Sequence, residues 1–337
     1  MEYRSLGHTG LQVSNLALGT MMFGAWGNTD RAECERTIHQ ALDAGINLVD
    51  TADMYADGET EEVTGKALAG HRDEVVLATK FWNPMGPGVN QQGASRRWIM
   101  QAVEGSLRRL GTDWIDLYQV HRPDPHIDMA EFMDAMGDLV RQGKVRAIGT
   151  STWPAELIVE AQWAADRGQG PKLASEQPPY SIFTRGAETA VLPTAKRHGM
   201  GAIVWSPLNG GWLTGKYRKG QPLPTGSRAE YSPDHFQVNT AKYDAAEALL
   251  SVAADADISL THLALAWVRE HPAVTAAIIG PKTPAQLTDL LEGADIRLGA
   301  DVLDAIDAIV APGVNLAAAD AGWTTWELDA AQRRRPR

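Results

Sequence analysis

A closed (β/α)8 barrel of the TIM type is the fold this α/β sequence predicts, on three observations. Short apolar runs recur eight times, an amphipathic helical pattern separates most of them, and the fingerprint G-x-G-x-x-G is absent. Strand–helix alternation demands a parallel sheet, because parallel strands need crossover connections. Eight strands suit closure better than an open doubly wound sheet, and the missing glycines remove the usual dinucleotide-binding form of the latter.

The strand candidates are "LALG" (16–19), "INLVD" (46–50), "VVLATK" (75–80), "IDLYQVH" (115–121), "VRAIGTS" (145–151), "KLASEQ" (172–177), "GAIVWS" (201–206) and "AAIIG" (276–280). Helical patterns cover 30–44, 59–69, 95–109, 128–141, 154–167, 186–198, a pair across 239–271, and 284–292. In "RRWIMQAVEGSLRRLG", Ile99, Val103, Leu107 and Leu110 fall on one face, and Gly111 supplies a C′ stop. Thr283 and Pro284 form an N-cap and first-turn signal for the last of these helices. The Pro/Gly-rich stretches 82–93 and 207–233 read as long functional loops. No linker stands out, so residues 1–337 are expected to form a single barrel domain, with a solvated tail fraying from about residue 313.

Of the 337 residues, 44% are hydrophobic and 22% charged, which suffices for a large core. A formal net charge of −11 argues against nonspecific binding to nucleic acid or anionic membrane, which needs a basic face. Cys34 is the sole cysteine, so an intrachain disulfide and a cysteine-built metal site are excluded. The opening "MEYRSLGHTG" shows no signal peptide, and no apolar run approaches the roughly 20 residues of a membrane span. A cytoplasmic location is the expectation.

In such a barrel the C-terminal strand ends form the active face. Asp50, Lys80, His121, Ser151, Gln177 and Trp205 all sit at or just past such ends. Singly, each has a bland reading. A strand-end Asp is a turn former, Tyr55 a rim aromatic, His121 a hydrogen-bonded histidine and Trp205 plain core. Lys80 already departs from this, because it interrupts an apolar strand where an unpaired lysine is rare. "HRPDPHID" gathers His121, Asp124, His126 and Asp128 without helical or hairpin ligand spacing, so no metal site is predicted.

Taken in order, "DTADMYADGETEEVTGKAL", "VVLATK", "DLYQVHRPD", "VRAIGTS", "WSPLNGGWLTGKY" and "IIGPKTPAQL" resemble the aldo-keto reductase superfamily. "YRSLGHTGLQVSNLALGTM" is similar to the N-terminal β-hairpin and first strand of its bacterial, potassium-channel-β-subunit-like branch. The resemblance spans about residues 3 to 310. It adds the hairpin and extra C-terminal helices to the barrel, and it implies a catalytic tetrad of Asp50, Tyr55, Lys80 and His121. Hydride transfer to a carbonyl leaves an alkoxide that needs a proton. A free phenol has a pKa of about 10, so Lys80 is expected to lower that of Tyr55. Asp50 would hold Lys80, and His121 would direct the substrate oxygen.

The resemblance implies the cofactor NADPH/NADP+. Ser151, Thr152 and Gln177 would hold the nicotinamide amide, with Thr152 standing where the family has Asn. Trp205 would stack on the ring in place of the commoner Tyr. Gly19, Thr20, Met21, Ser206, Pro207, Leu208, Gly211, Leu213, Lys216 and Arg228 would contact the dinucleotide. Gly280, Lys282, Thr283, Gln286 and Asp289 would take its adenosine end, where Lys282 and Thr283 meet a 2′-phosphate and favour NADPH over NADH. Leu290 replaces a common Asn, so one adenine contact is missing. Trp26, Met54, Trp82 and Trp153 are expected to wall a pocket for a small carbonyl or alcohol substrate. Two rivals stay open: a Schiff-base lyase using Lys80, and an NADPH-binding regulatory module with slow turnover. No nucleic-acid or membrane partner is implied, and a homo-oligomer stays open.

Overall fold

A computed structural model of the chain describes residues 1–230 and 239–328. A two-stranded antiparallel hairpin, β1 (Tyr3–Ser5) and β2 (Gln12–Ser14), precedes the barrel. The barrel strands are β3 (Leu16–Gly19), β4 (Leu48–Asp50), β5 (Val76–Phe81), β6 (Ile115–Val120), β7 (Val145–Ser151), β8 (Leu173–Gln177), β9 (Gly201–Val204) and β10 (Val274–Ile279). They close in chain order, all parallel, with β10 returning to β3 through Ala277 opposite Leu16. The predicted (β/α)8 barrel with an N-terminal hairpin is therefore the observed fold.

Helices α1 (Arg31–Asp43), α2 (Glu59–Ala67), α3 (Arg96–Leu110), α4 (Met129–Arg141), α5 (Ala155–Gly168) and α6 (Val191–Arg197) follow successive strands. Then come α7 (Thr240–Asp255), α8 (Leu260–Glu270), α9 (Pro284–Glu292) and α10 (Ala300–Ile309). Local chemistry sets their ends. Ser95 accepts from Trp98 N to open α3, and Gly111 at φ 64° stops it in the left-handed region. Thr283 accepts from Gln286 N at the start of α9, with Pro284 in its first turn. The pattern over 186–198 divides into a short 3-10 turn and a shorter α6. Pro193 has no N–H to donate and is tolerated there only in the helix's first turn.

Two cores result. One fills the barrel with Ala17, Leu48, Ala78, Leu117, Ala147, Ala174, Ile203, Ala276 and Ile278. Leu6 and Val13 of the hairpin region join it, sealing the N-terminal mouth. Gly7 makes that seal: its φ is +53°, and a Cβ there would lie 2.5 Å from Ala174 O and 2.9 Å from Gly201 N. The larger core lies between strands and helices.

Residues 313–322, expected to fray, are docked instead. Arg185 N donates to Val314 O and Leu316 N to Phe183 O at 3.1 and 3.0 Å. Asp320 reaches Lys242 Nζ at 2.6 Å and accepts from Asn209 Nδ2 at 3.1 Å. Lys242 is 1% exposed, so Asp320 supplies the counter-charge its burial requires. Basic residues of the terminal "AAQRRRPR", and residues 231–233 of the long loop, lie outside the described residues. No single helix among the described residues is long and apolar enough to cross a membrane.

Glu176 fixes the exit of β7. Its carboxyl accepts from Thr150 Oγ1 and, at 3.0 Å, from Trp153 N. Burial pushes this carboxyl up to about 8, against the hydrogen bonds that favour its ionised form.

Two measurements check this architecture. Gly65 on α2 faces the end of α3, and an added Cβ would sit 2.2 Å from Leu110 O. Gly65→Ala should therefore cost about 1–3 kcal/mol in a urea titration, and an unchanged midpoint would contradict that packing. Glu176 ionises near 4.5 when unfolded but near 8 when folded. Between those values the unfolded state binds fewer protons, so stability falls as pH rises through the window. Glu176→Gln should flatten that decline; an equal slope in the variant refutes the assignment.

Candidate active site

The C-terminal ends of β4, β5 and β6 deliver the residues expected to carry chemistry. Asp50 ends β4, Lys80 is the penultimate residue of β5, and His121 follows β6. Tyr55 arrives by a tight turn: Asp53 N donates to Lys80 O at 3.0 Å, and Tyr55 N to Ala52 O at 3.3 Å. Ala56 and Asp57 then take φ of 47° and 54°, which turns the chain sharply into α2. Behind the turn, buried Glu61 accepts from Arg109 Nε and Thr79 Oγ1 at 2.7 and 2.6 Å. Asp53 is buried beside it with its carboxyl raised well above the ordinary range, by desolvation first and Glu61 second.

Lys80 is the hub. Its Nζ donates to Asp50 Oδ2 at 2.5 Å, Thr51 O at 2.8 Å and Tyr55 Oη at 3.4 Å. Burial alone would lower its pKa, yet Asp50 and Tyr55 bring the net shift upward, so the ammonium stays charged. Asp50 Oδ1 accepts from Gln177 Nε2 at 2.8 Å, which ties β8 to β4 across the barrel.

At Tyr55 the expected lowering by Lys80 is present but outweighed. Desolvation raises its phenol above the ordinary value, with Asp50 adding to the rise, while Lys80 and Arg122 act in the opposite direction. The hydroxyl therefore keeps its proton at neutral pH. His121 stands edge-on to the Tyr55 ring, centroids 5.8 Å apart, and Trp26 flanks that ring at 5.9 Å. Burial, then Lys80 and Arg122, hold the imidazole well below its ordinary pKa, so it is neutral. Asn83 Nδ2 lies 3.2 Å from His121 Nδ1. With the amide donating there, the ring proton rests on Nε2, which leaves an N–H donor for a ligand.

Of the expected cofactor residues, Thr20, Ser151, Thr152 and Gln177 are hydrogen-bonded at this centre. Ser151 Oγ donates to Gln177 O at 3.0 Å, and Thr152 adopts φ 61° with its hydroxyl accepting from Arg122 Nη1 at 2.6 Å. Thr20 Oγ1 donates to Asp50 O at 3.2 Å, directly after Gly19 and before Met21. A cavity of about 340 Å³ opens beside Trp205, lined by Ser206, Asn209, Gly210, Arg228 and Asp320. Ser206 at φ 60°, Gly210 at 66° and Gly211 at 100° curl the chain around it, and Ser206 Oγ accepts from Gly210 N at 3.2 Å. Leu208 is half-buried there and Leu213 wholly buried, so only the backbone of Leu213 could meet a ligand.

Lys216 and Lys282 lie close enough that Lys282, after burial, helps lower the pKa of Lys216. Among the described residues no carboxylate pairs with either. Two lysines left without counter-ions fit the phosphates of a dinucleotide. Gly280 leaves open space where a Cβ would stand, and Gln286 accepts from Lys282 N at 2.7 Å. Asp289 is exposed, and its backbone oxygen accepts from His262.

Of the expected pocket walls, Trp26 is 46% exposed beside Tyr55. Met54 and Trp82 are half-buried on the same rim. Trp153 is misplaced in that expectation: it is 2% exposed and packs against Phe132 of α4, within the strand–helix core. In the motif "HRPDPHID", Asp124 accepts from Ala94 N and His126 N, and Asp128 caps α4, so these acids serve turns and a helix end. Sequence reasoning missed Arg122, Asn83 and the Lys242–Asp320 pair. "HRPD" held the signal for Arg122, whereas nothing local marks partners 78 residues apart, 242 to 320.

A model described as "Aldo/keto reductase family" matches residues 15–311. "Uncharacterized oxidoreductase YrpG" of Bacillus subtilis (strain 168) is 39% identical over 321 residues, covering 92% of this chain and 96% of that protein. "Aldo-keto reductase YhdN" of the same organism is 38% identical over 298 residues, 87% of this chain and 88% of the relative. "Probable voltage-gated potassium channel subunit beta" of Arabidopsis thaliana is 36% identical over 325 residues, 92% of this chain and 97% of its own. With a matching family model along most of its length and relatives of this identity, the chain belongs to the aldo/keto reductase family.

Proposed function

We propose that this oxidoreductase uses NADPH to reduce an aldehyde or ketone to the alcohol, with Tyr55 as general acid. The observation that carries this reading is the continuous chain from Asp50 through Lys80 Nζ to Tyr55 Oη, at 2.5 and 3.4 Å, with His121 edge-on to the phenol. When bound, the dinucleotide supplies the hydride. Tyr55 Oη gives its proton to the carbonyl oxygen as negative charge gathers there. The phenolate left behind is stabilised by the Lys80 ammonium, which is itself held charged by Asp50. Neutral His121 donates Nε2–H to the same oxygen and orients it. In the reverse direction Tyr55 takes the alcohol proton.

Ser151, Thr152, Gln177 and Trp205 would hold the nicotinamide, and Lys216 and Lys282 the phosphates. Thr283 and Gln286 at the start of α9 would flank the 2′-phosphate, beside a helix N-terminus that favours anions. The Schiff-base alternative is disfavoured, because attack needs a neutral amine and Lys80 is kept protonated. A regulatory module that only binds the cofactor would not need the Asp50–Lys80–Tyr55 chain.

Tyr55→Phe should leave NADPH binding, read by tryptophan quenching, near wild type while cutting kcat by about 10²- to 10⁴-fold on an aldehyde panel. Near-normal turnover would remove Tyr55 from the acid role. Lys282→Ala should lower the NADPH-to-NADH ratio of kcat/KM by about tenfold or more, a charge-assisted contact being lost. An unaltered ratio would place the 2′-phosphate elsewhere.

A further inference from the structure

Arg122, directly after the His121 position at the end of β6, holds a positive charge that no carboxylate among the described residues pairs with. It is half-buried. Its Nη1 donates to Thr152 Oγ1 at 2.6 Å, and its Cζ stands 5.9 Å from the Trp205 ring. Those two contacts, with its electrostatic action on Tyr55 and His121, place the guanidinium at the same rim as the phenol and the imidazole.

Five N–H donors make up a guanidinium. Thr152 uses one, and no carboxylate among the described residues pairs with Arg122. Glu176 is the carboxyl felt most at this position, yet it keeps its proton to about pH 8 and offers no counter-charge at neutrality. Burial lowers the Arg122 pKa, because partial loss of hydration disfavours the charge more than its neighbours favour it. A nicotinamide ring cannot neutralise it, being uncharged when reduced and cationic when oxidised. The molecule that enters this chamber besides the cofactor is the substrate.

We propose that Arg122 is a specificity-determining residue that anchors a carboxylate of the substrate, making carboxylate-bearing aldehydes or ketones the preferred class. The proposal rests on the carbonyl-reductase reading. A planar fork of N–H groups matches a carboxylate in bidentate fashion, which a lysine at this site could not reproduce. Trp26, which flanks the Tyr55 ring, would receive the apolar body between the carbonyl and the anion.

The test compares kcat/KM for 4-carboxybenzaldehyde and its neutral isostere methyl 4-formylbenzoate, in wild type, Arg122→Gln and Arg122→Lys. The ratio of the two substrates within each protein cancels any general effect on Tyr55 or the cofactor. Wild type should favour the carboxylate by about tenfold or more. Arg122→Gln should erase that preference, mainly through KM, and Arg122→Lys should restore part of it. Wild type without a preference, or an unchanged ratio in Arg122→Gln, overturns the proposal. If wild type reduces neither aldehyde, the reductase reading fails by itself. Terephthalate and terephthalamide binding to the NADP+-loaded protein, followed by tryptophan fluorescence, then decides on Arg122. Loss of terephthalate binding in Arg122→Gln at unchanged NADP+ affinity supports the anchor, and equal binding refutes it.

Discussion

The buried ion pair between Lys80 and Asp50 is the constraint around which the rest of the structure is arranged. Every residue of β5 is buried, and an ammonium in such surroundings would shed its proton without a counter-charge. Asp50, 2.5 Å away, prevents this, and Thr51 O completes the coordination at 2.8 Å. The carboxylate in turn cannot be buried with one oxygen idle, and Gln177 satisfies the other. Three strands are thus pinned at one end of the barrel by an ion pair and the amide that completes it. Such a pair adds little net stability, since desolvation consumes most of its attraction. Its value is placement: it sets where the Tyr55 hydroxyl can stand.

Desolvation decides the electrostatics of this rim more than any single charge does. It outweighs Lys80 at Tyr55, so the phenol holds its proton. It combines with Lys80 and Arg122 at His121, so the imidazole stays neutral. Both groups are therefore proton carriers with a donor to offer. Sequence alone suggests the opposite balance at Tyr55, because adjacency to lysine is legible while depth of burial is not.

What the chain reveals by itself follows from how local each signal is. β3 and β7 match their apolar runs residue for residue, and Gly111 and Thr283 perform the stop and the cap that their types imply. β4 begins two residues late, at Leu48, because Asn47 spends its side chain on Ser14 N and Gln12 O of the hairpin. Trp153 follows Thr152 at the rim, yet the φ of 61° at Thr152 and the bond from Trp153 N to Glu176 turn its ring into the helix layer. Arg185 and Asp307 pair across 122 residues to anchor α10 itself, and no periodicity encodes that. Long-range polar partners are invisible in one sequence, whereas caps, stops and strand runs are written within a few residues.

Asp50 divides its two oxygens between two tasks. Oδ2 serves the lysine beneath the phenol, and Oδ1 serves Gln177, the amide proposed to face the nicotinamide. A single rigid carboxylate plane joins them, so a displacement of one oxygen rotates the other. Acidity at Tyr55 and amide recognition at Gln177 are then two ends of one lever. In the proposed function, substitutions around Gln177 that re-aim the amide would alter proton delivery at Tyr55, and an altered lysine would alter the hold on the cofactor. In a barrel whose strands are separately variable, this shared pivot limits how independently the two halves of the site can diverge.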